Sequence, residues 1–341
     1  MSAKAQARPY VQAWLFFVCL LIFALVLVGG ATRLTDSGLS ITEWKPILGA
    51  IPPLNDADWQ QAFSLYKQIP EYKVINRGMS LEEFKFIFWW EWAHRFLARF
   101  IGLAFFVPAV FFWITGRLED QLKPGLTVMF VLGGLQGFLG WYMVSSGLSE
   151  RVDVSQYRLA MHLGLAIVIF AYIFWVALGM GARTRMIADK ADWGALAVCV
   201  LIFVQIILGA FVAGMDAGMG YNTWPLMDGA FVPEGLMIMD PAWKNLFENA
   251  MTVQFNHRMV AYIVVIATAF HVFRTLRDER GGAYALSAGL LGLVVLVQVA
   301  LGIWTLLAQV PIELGLLHQG GAVILLAIAI WHLHVATLKR H

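Results

Sequence analysis

Eight apolar stretches, each long enough to cross a bilayer, decide what this chain can fold into. They lie near residues 13–32, 86–114, 124–145, 157–179, 193–213, 248–274, 284–308 and 313–338. Inside lipid every backbone N–H and C=O must be satisfied within the protein, and an isolated apolar run does this only as an α-helix. The expected fold class is therefore all-α: a polytopic membrane protein with eight transmembrane helices. Composition agrees, because 60% of the 341 residues are hydrophobic and only 13% are charged, about half the share of a soluble domain. A net charge of +2 says nothing about nucleic acid, and no basic run suggests it as a partner. Cys19 and Cys199 both fall inside apolar segments and read as small buried hydrophobes rather than a disulfide. Lys4 and Arg8 precede a first run too long for a signal peptide, so that run is expected to stay as a helix.

The connections set an orientation. Lys4 and Arg8, Arg117 and Lys123, Arg183, Arg185 and Lys190, Arg274, Arg277 and Arg280, and Lys339 and Arg340 all fall on one side. Positive charge marks the cytoplasm, so both termini are expected there. The long loop 33–85 is then on the outer side. Its Trp59–Tyr66 stretch is amphipathic and predicts short helices lying on the membrane surface. Ser80-Leu81-Glu82-Glu83 has capping-box spacing and starts the second long helix above the membrane, with Trp89, Trp90 and Trp92 in an aromatic belt.

The two halves repeat. Gly29-Gly30-Ala31, Asp36-Ser37-Gly38 and Trp44 match Leu208-Gly209-Ala210, Asp216-Ala217-Gly218 and Trp224. Gln136…Gly140 matches Gln298…Gly302, and the His162 segment matches the His318 segment. Four helices per half make the repeat parallel, which predicts two four-helix bundles related by a pseudo-two-fold axis along the membrane normal. The domains are expected over 1–180, carrying the loop 33–85, and over 190–341.

Within this scaffold, Glu91-Trp92-Ala93-His94-Arg95 is echoed about 160 residues later by Gln254-Phe255-Asn256-His257-Arg258. Ionisable groups inside a membrane helix point to function. His94, His162, His257 and His318 occupy matched positions near the outer ends of alternate helices, so each half can face two imidazoles across a bundle and hold a porphyrin iron. Zinc or copper fits less well, because two imidazoles without thiolates or carboxylates make a poor cage. Arg95 and Arg258 follow their histidines and suit haem propionates, although outer-leaflet headgroups would also attract them. Gly133, Gly134, Gly137, Gly140, Gly320 and Gly321 would admit a flat macrocycle or serve close helix packing. Glu91 stands three residues before His94, whereas its counterpart Gln254 is neutral. The acid assigns proton handling or charge stabilisation to the first half, unless it serves only to pair with Arg95. His271 and His332 each lie 14 residues beyond a ligand candidate, about 21 Å along a helix, which leaves an inner haem as an alternative. His334 and His341 read as interfacial or tail residues.

Gly38-Leu39-Ser40-Ile41-Thr42-Glu43-Trp44-Lys45-Pro46, the Glu91…His94-Arg95 motif, the Phe255-Asn256-His257-Arg258 motif and the paired eight-helix layout resemble the haem A synthase family over nearly the whole chain. That resemblance implies oxidation of the C8 methyl of haem O to the formyl of haem A, by two hydroxylations through haem I, for use by cytochrome oxidase. It implies that His257 and His318 hold a resident haem b, and that His94 and His162 flank the substrate haem with Glu91 assisting. It also implies a cell inner membrane location, haem sites towards the outer side and supply of substrate by a haem O synthase (a farnesyltransferase). An electron donor or acceptor is required and unnamed, and homo-oligomerisation is left open. Many relatives from Gram-positive bacteria carry a cysteine pair in the first outer loop; this chain has none there, so a thiol step is not available. Two other functions stay in view: a membrane b-type cytochrome acting only in electron transfer, and a transporter, suggested by the repeat alone.

Overall fold

The computed structural model describes residues 2–45, 48–149, 151–181, 192–279 and 282–338. Pro46, Arg183, Arg185, Lys190, Arg280, Lys339, Arg340 and His341 lie outside the described residues. The described residues form eleven α-helices: α1 (Ala3–Leu34), α2 (Asp56–Tyr66), α3 (Pro70–Val74), α4 (Leu81–Ile114), α5 (Lys123–Ser145), α6 (Gln156–Gly181), α7 (Trp193–Gly214), α8 (Asn245–Glu248), α9 (Ala250–Leu276), α10 (Gly282–Leu307) and α11 (Ile312–Ala336). All but α2, α3 and α8 are long and apolar enough to cross a membrane, which gives the eight expected spans. The chain divides into compact units 1–169 and 170–341, with the boundary inside α6.

Local chemistry explains the helix limits. The first helix begins ten residues before the expected apolar run because Ser2 caps it, accepting the Ala5 N–H. Its polar first turns are held by ion pairs from Lys4 to Asp120 and from Arg8 to Glu119. The capping box at Ser80 forms as expected, with Ser80 and Glu83 bonding each other's backbone N–H. At 34 residues α4 is about 51 Å long, well beyond a hydrocarbon core of about 30 Å. Its interior Pro108 cannot donate to Ala104 O, and the Trp14 Nε1–H takes that carbonyl instead at 2.8 Å. The tie joins α1 to α4 at a turn where Pro108 leaves α4 an acceptor to spare.

The 35–80 connection has a core of its own. In α2, Trp59, Phe63 and Tyr66 pack with Leu39, Ile69, Phe84, Ile87 and Phe88, all buried. Phe63 stacks on Phe84 at 4.9 Å, and Trp59 meets Phe88 edge-on at 4.9 Å. The expected surface helices are therefore docked onto the projecting first turns of α4. In the second unit, α7, α9, α10 and α11 pack in a closed ring of neighbours. The sequence repeat extends to the backbone: Asp36 and Asp216, at matched positions, both adopt the left-handed conformation (φ 48° and 50°).

Candidate functional site

Four histidine seats share one construction. Each imidazole lies against a glycine of the preceding long helix: His94 on Gly29, His162 on Gly140, His257 on Gly209 and His318 on Gly302. A Cβ on these glycines would stand 2.9, 3.0, 3.3 and 2.8 Å from the respective ring. Any side chain there would push the imidazole aside, so the bare backbone is what lets the ring lie flat against the helix. Gly133, Gly134 and Gly137, expected beside a macrocycle or in close helix packing, have no neighbouring heavy atom within 4 Å of where a Cβ would stand.

Three seats carry a glutamine one turn before the glycine. Gln136 Nε2 lies 3.1 Å from His162 Nδ1 and donates to the His162 carbonyl at 3.0 Å. Gln205 repeats this on His257 at 3.1 and 2.9 Å, and Gln298 on His318 at 3.1 and 2.8 Å. Each amide thus holds both the ring and the backbone of its histidine. The Oε1 atoms of all three glutamines are buried without a partner. Gln205 was invisible in the sequence, being a lone amide in an apolar span whose counterpart in the first half is Leu25.

In the second unit these parts converge on an open cleft. His257, His318, Gln205, Gln298, Arg258 and Gly302 line it, among apolar walls that include Ile202 and Leu325. The His257 and His318 ring centroids are 6.4 Å apart with the rings near perpendicular, at 81°. Metal–imidazole bonds of about 2 Å would set the two bonding nitrogens about 4 Å apart across an iron, which suits this separation of rings. Apolar walls, paired imidazoles, an arginine and orphaned buried amide oxygens together fit a haem. His271 and His332 form a different arrangement. Their Nε2 atoms are 2.8 Å apart, and His332 is fully buried. Ser287 Oγ donates to Tyr284 O at 3.0 Å and so receives the His332 Nδ1–H at 2.8 Å. The Tyr284 ring stacks on His332 at 5.1 Å. Two nitrogens this close are bonded to each other and leave no room for iron between them, so the inner-haem alternative is not realised. His334, in the last turn of α11, is also buried and meets Trp175 edge-on.

The acid–histidine–arginine motifs fasten loops. Glu91 is buried; its Oε1 pairs with Arg95 at 2.6 Å, and its Oε2 accepts from Ser40 Oγ and the Ile41 N–H, each at 2.7 Å. Arg95 donates onward to Ile41 O at 2.8 Å and Glu43 O at 3.2 Å. Gln254 takes the corresponding place with reversed polarity, donating to Ala217 O at 2.7 Å and Gly220 O at 2.6 Å. Arg258 then bonds Gln254 Oε1, Tyr221 O and Thr223 O. The acid and the amide differ because one loop presents donors and the other presents carbonyls. In the first unit a small open cleft lies over Arg95, between residues 41–44 and Trp141, Val144, Ser145 and Leu148. Beneath the connecting segment sits Glu71, a buried residue of α3 that no sequence motif marked. Burial raises its carboxyl to about 8, helped by the charges of Glu91, Asp153 and Asp36 and opposed by Arg33.

The family model COX15-CtaA, described as cytochrome oxidase assembly protein, matches residues 12–330. A protein of Parvibaculum lavamentivorans named heme A synthase is 55% identical over 334 residues, covering 97% of this chain and 96% of its own length. Namesakes from a Chelativorans species and from Rhizobium meliloti are 57% and 53% identical, covering 97% and 98% of this chain and 92% of each relative. With a match spanning nearly every helix and all four histidine seats, the chain belongs to the COX15-CtaA family.

Proposed function

We propose that this chain is a membrane oxidoreductase that converts the C8 methyl group of haem O to the formyl group of haem A. The observation that carries the reading is the set of four glycine-seated histidines, two of which face one apolar cleft at 6.4 Å between ring centroids. His257 and His318 would hold a resident haem b, whose chemistry when bound is one-electron transfer. His94 and His162 would flank the substrate haem in the first unit. Arg258 has two N–H groups beyond its bonds to Tyr221 O, Thr223 O and Gln254 Oε1, and its Nε is buried without a partner, so it can meet a propionate from the cleft wall. Arg95 and Glu91 hold residues 40–43 in place beside the first unit's histidine seats. Glu91 is thereby a positioning residue. The basic residues at the helix ends support a multi-pass inner-membrane protein with cytoplasmic termini and histidine seats towards the outer face.

The test is haem extraction and absorption spectroscopy on wild type, His94→Ala and His257→Ala. Wild type should yield haem b together with haem O, I or A. His257→Ala should lose haem b, and His94→Ala should keep haem b while haem A formation stops. Haem b alone from wild type under every condition would sink the reading in favour of an electron carrier.

A further inference from the structure

Part of the connection between α1 and α4 is apolar and uncovered. Residues 46–55 carry no charged side chain, whereas 56–85 carry nine. Within this stretch Leu48, Ile51 and Leu54 are 72%, 62% and 75% exposed, an apolar display that water does not favour. The backbone there asks little of its surroundings. The Gly49 N–H bonds Lys45 O at 3.0 Å, the Ile51 N–H bonds Leu48 O at 3.1 Å, and Pro52 and Pro53 have no N–H to satisfy. The next helix, α2, turns Trp59, Phe63 and Tyr66 onto α4, so its apolar face is not available to lipid.

The depth of the stretch follows from α4. Trp89 and Trp113 are both exposed and stand about 36 Å apart along that helix, the spacing of aromatic girdles on either side of a hydrocarbon core of about 30 Å. Lys123 Nζ lies 5.6 Å from the Trp113 ring centroid, as suits a cation at headgroup level. Arg99 is about 15 Å deeper than Trp89, and a helical side chain is directed back towards the helix N-terminus. Arg99 Nη2 donates to Lys45 O at 3.1 Å, and a Cβ on Gly49 would stand 3.0 Å from the same Nη2. The turn Leu48–Ala50 therefore lies about 10 Å inside the Trp89 girdle, the depth at which interfacial segments bury their apolar side chains. We propose that residues 48–54 form a lipid-inserted strap: Leu48, Ile51 and Leu54 enter the acyl chains of the leaflet at the N-terminal end of α4, and the bilayer is the partner of this face. Residues 42–44, just before the strap, wall the cleft over Arg95. Lipid contact at the strap thus helps fix a wall that Arg95 also holds through the Ile41 and Glu43 carbonyls. The inference needs only that α4 spans the bilayer and is independent of the reaction the clefts serve.

The experiment places a nitroxide at Leu48→Cys, Ile51→Cys and Leu54→Cys, one at a time. The full-length protein, with Cys19 and Cys199 replaced by alanine, is reconstituted in phosphatidylcholine bilayers. Gln60→Cys on the exposed face of α2 marks water, and Leu103→Cys on the exposed face of α4 marks the acyl chains. Power saturation reads collision with dissolved oxygen and with a water-soluble nickel chelate. The oxygen-to-nickel ratio at the three strap positions should be several-fold above that at Gln60→Cys and approach that at Leu103→Cys. A ratio equal to that of Gln60→Cys overturns the inference, because the strap then stands in water. Low collision with both reagents also overturns it, because a second copy or another protein then covers the face. Should a cysteine variant fail to accumulate, wild type is photolabelled with a phospholipid carrying an acyl-chain diazirine. Adducts on 48–54 beside those on α4 support the strap, and adducts on α4 with none on 48–54 reject it.

Discussion

The Glu91 carboxylate accepts the backbone N–H of Ile41 at 2.7 Å, across a separation of 50 residues. With the Ser40 hydroxyl on the same oxygen and Arg95 on the other, the bond closes a polar knot between α4 and the loop above it. Gln254 closes the corresponding knot in the second unit with its N–H groups, because Ala217 and Gly220 offer carbonyls there.

From this polarity it follows that the two residues cannot be exchanged. Glu91→Gln has one oxygen for three donors, which leaves a buried donor unsatisfied at about 1–3 kcal/mol. Gln254→Glu sets a carboxylate against two carbonyls. Both variants should loosen their own loop, seen as faster proteolysis within 38–44 or 217–223, and Glu91→Gln should also lower haem A accumulation. A Glu91→Gln protein with wild-type loop protection and wild-type haem A would contradict the account.

The seat glycines predict a graded series. Gly302→Ala and Gly29→Ala place a methyl 2.8 and 2.9 Å from the ring and must displace it, whereas Gly209→Ala at 3.3 Å needs only a small adjustment. Overpacking of this kind costs about 1–3 kcal/mol. Haem content and low-spin absorbance should fall more in Gly302→Ala than in Gly209→Ala. The reverse order would mean that ring placement is set elsewhere.

Glu71 gives a pH dependence whose sign is fixed. Its folded value of about 8 lies above the ordinary 4.5, so the folded chain binds this proton more tightly than the unfolded one. Stability from this group is then fully present below about pH 4.5 and is lost as the pH rises towards 8. Thermal unfolding in detergent should show Glu71→Gln gaining on wild type across that window and matching it at the acidic end. A constant difference between the two proteins would show that the carboxyl does not titrate in this way.

The His271–His332 pair should prove structural. His332→Ala removes the acceptor of the His271 Nε2–H and the donor to Ser287, at about 1–3 kcal/mol. Its purified protein should melt earlier with an unchanged haem-to-protein ratio. A lost haem would revive the inner-haem alternative.

Much of this was legible because it is local. Helical spans follow from apolar length, the α4 start from Ser80 and Glu83, and the Glu91–Arg95 pair from spacing within one helix. What stayed hidden depends on pairing across helices. Gln205 meets His257 across 52 positions and has no polar counterpart in the first half to mark it. Their place after a histidine suggests propionates or headgroups as partners for the arginines, yet most of their bonds go to loop carbonyls, which carry no side-chain signature. The acid–amide difference looked like a difference in reactivity, and its local cause is which backbone atoms the two loops turn towards the helix.

Each histidine rests on a glycine of the long helix immediately before its own: α1 then α4, α5 then α6, α7 then α9, α10 then α11. During synthesis, therefore, the glycine surface is always made first, and its histidine arrives with the next span. Every seat can be completed as a two-helix hairpin leaving the insertion machinery, without waiting for the rest of its unit. A haem held by His257 and His318 would join two such hairpins, α7 with α9 and α10 with α11.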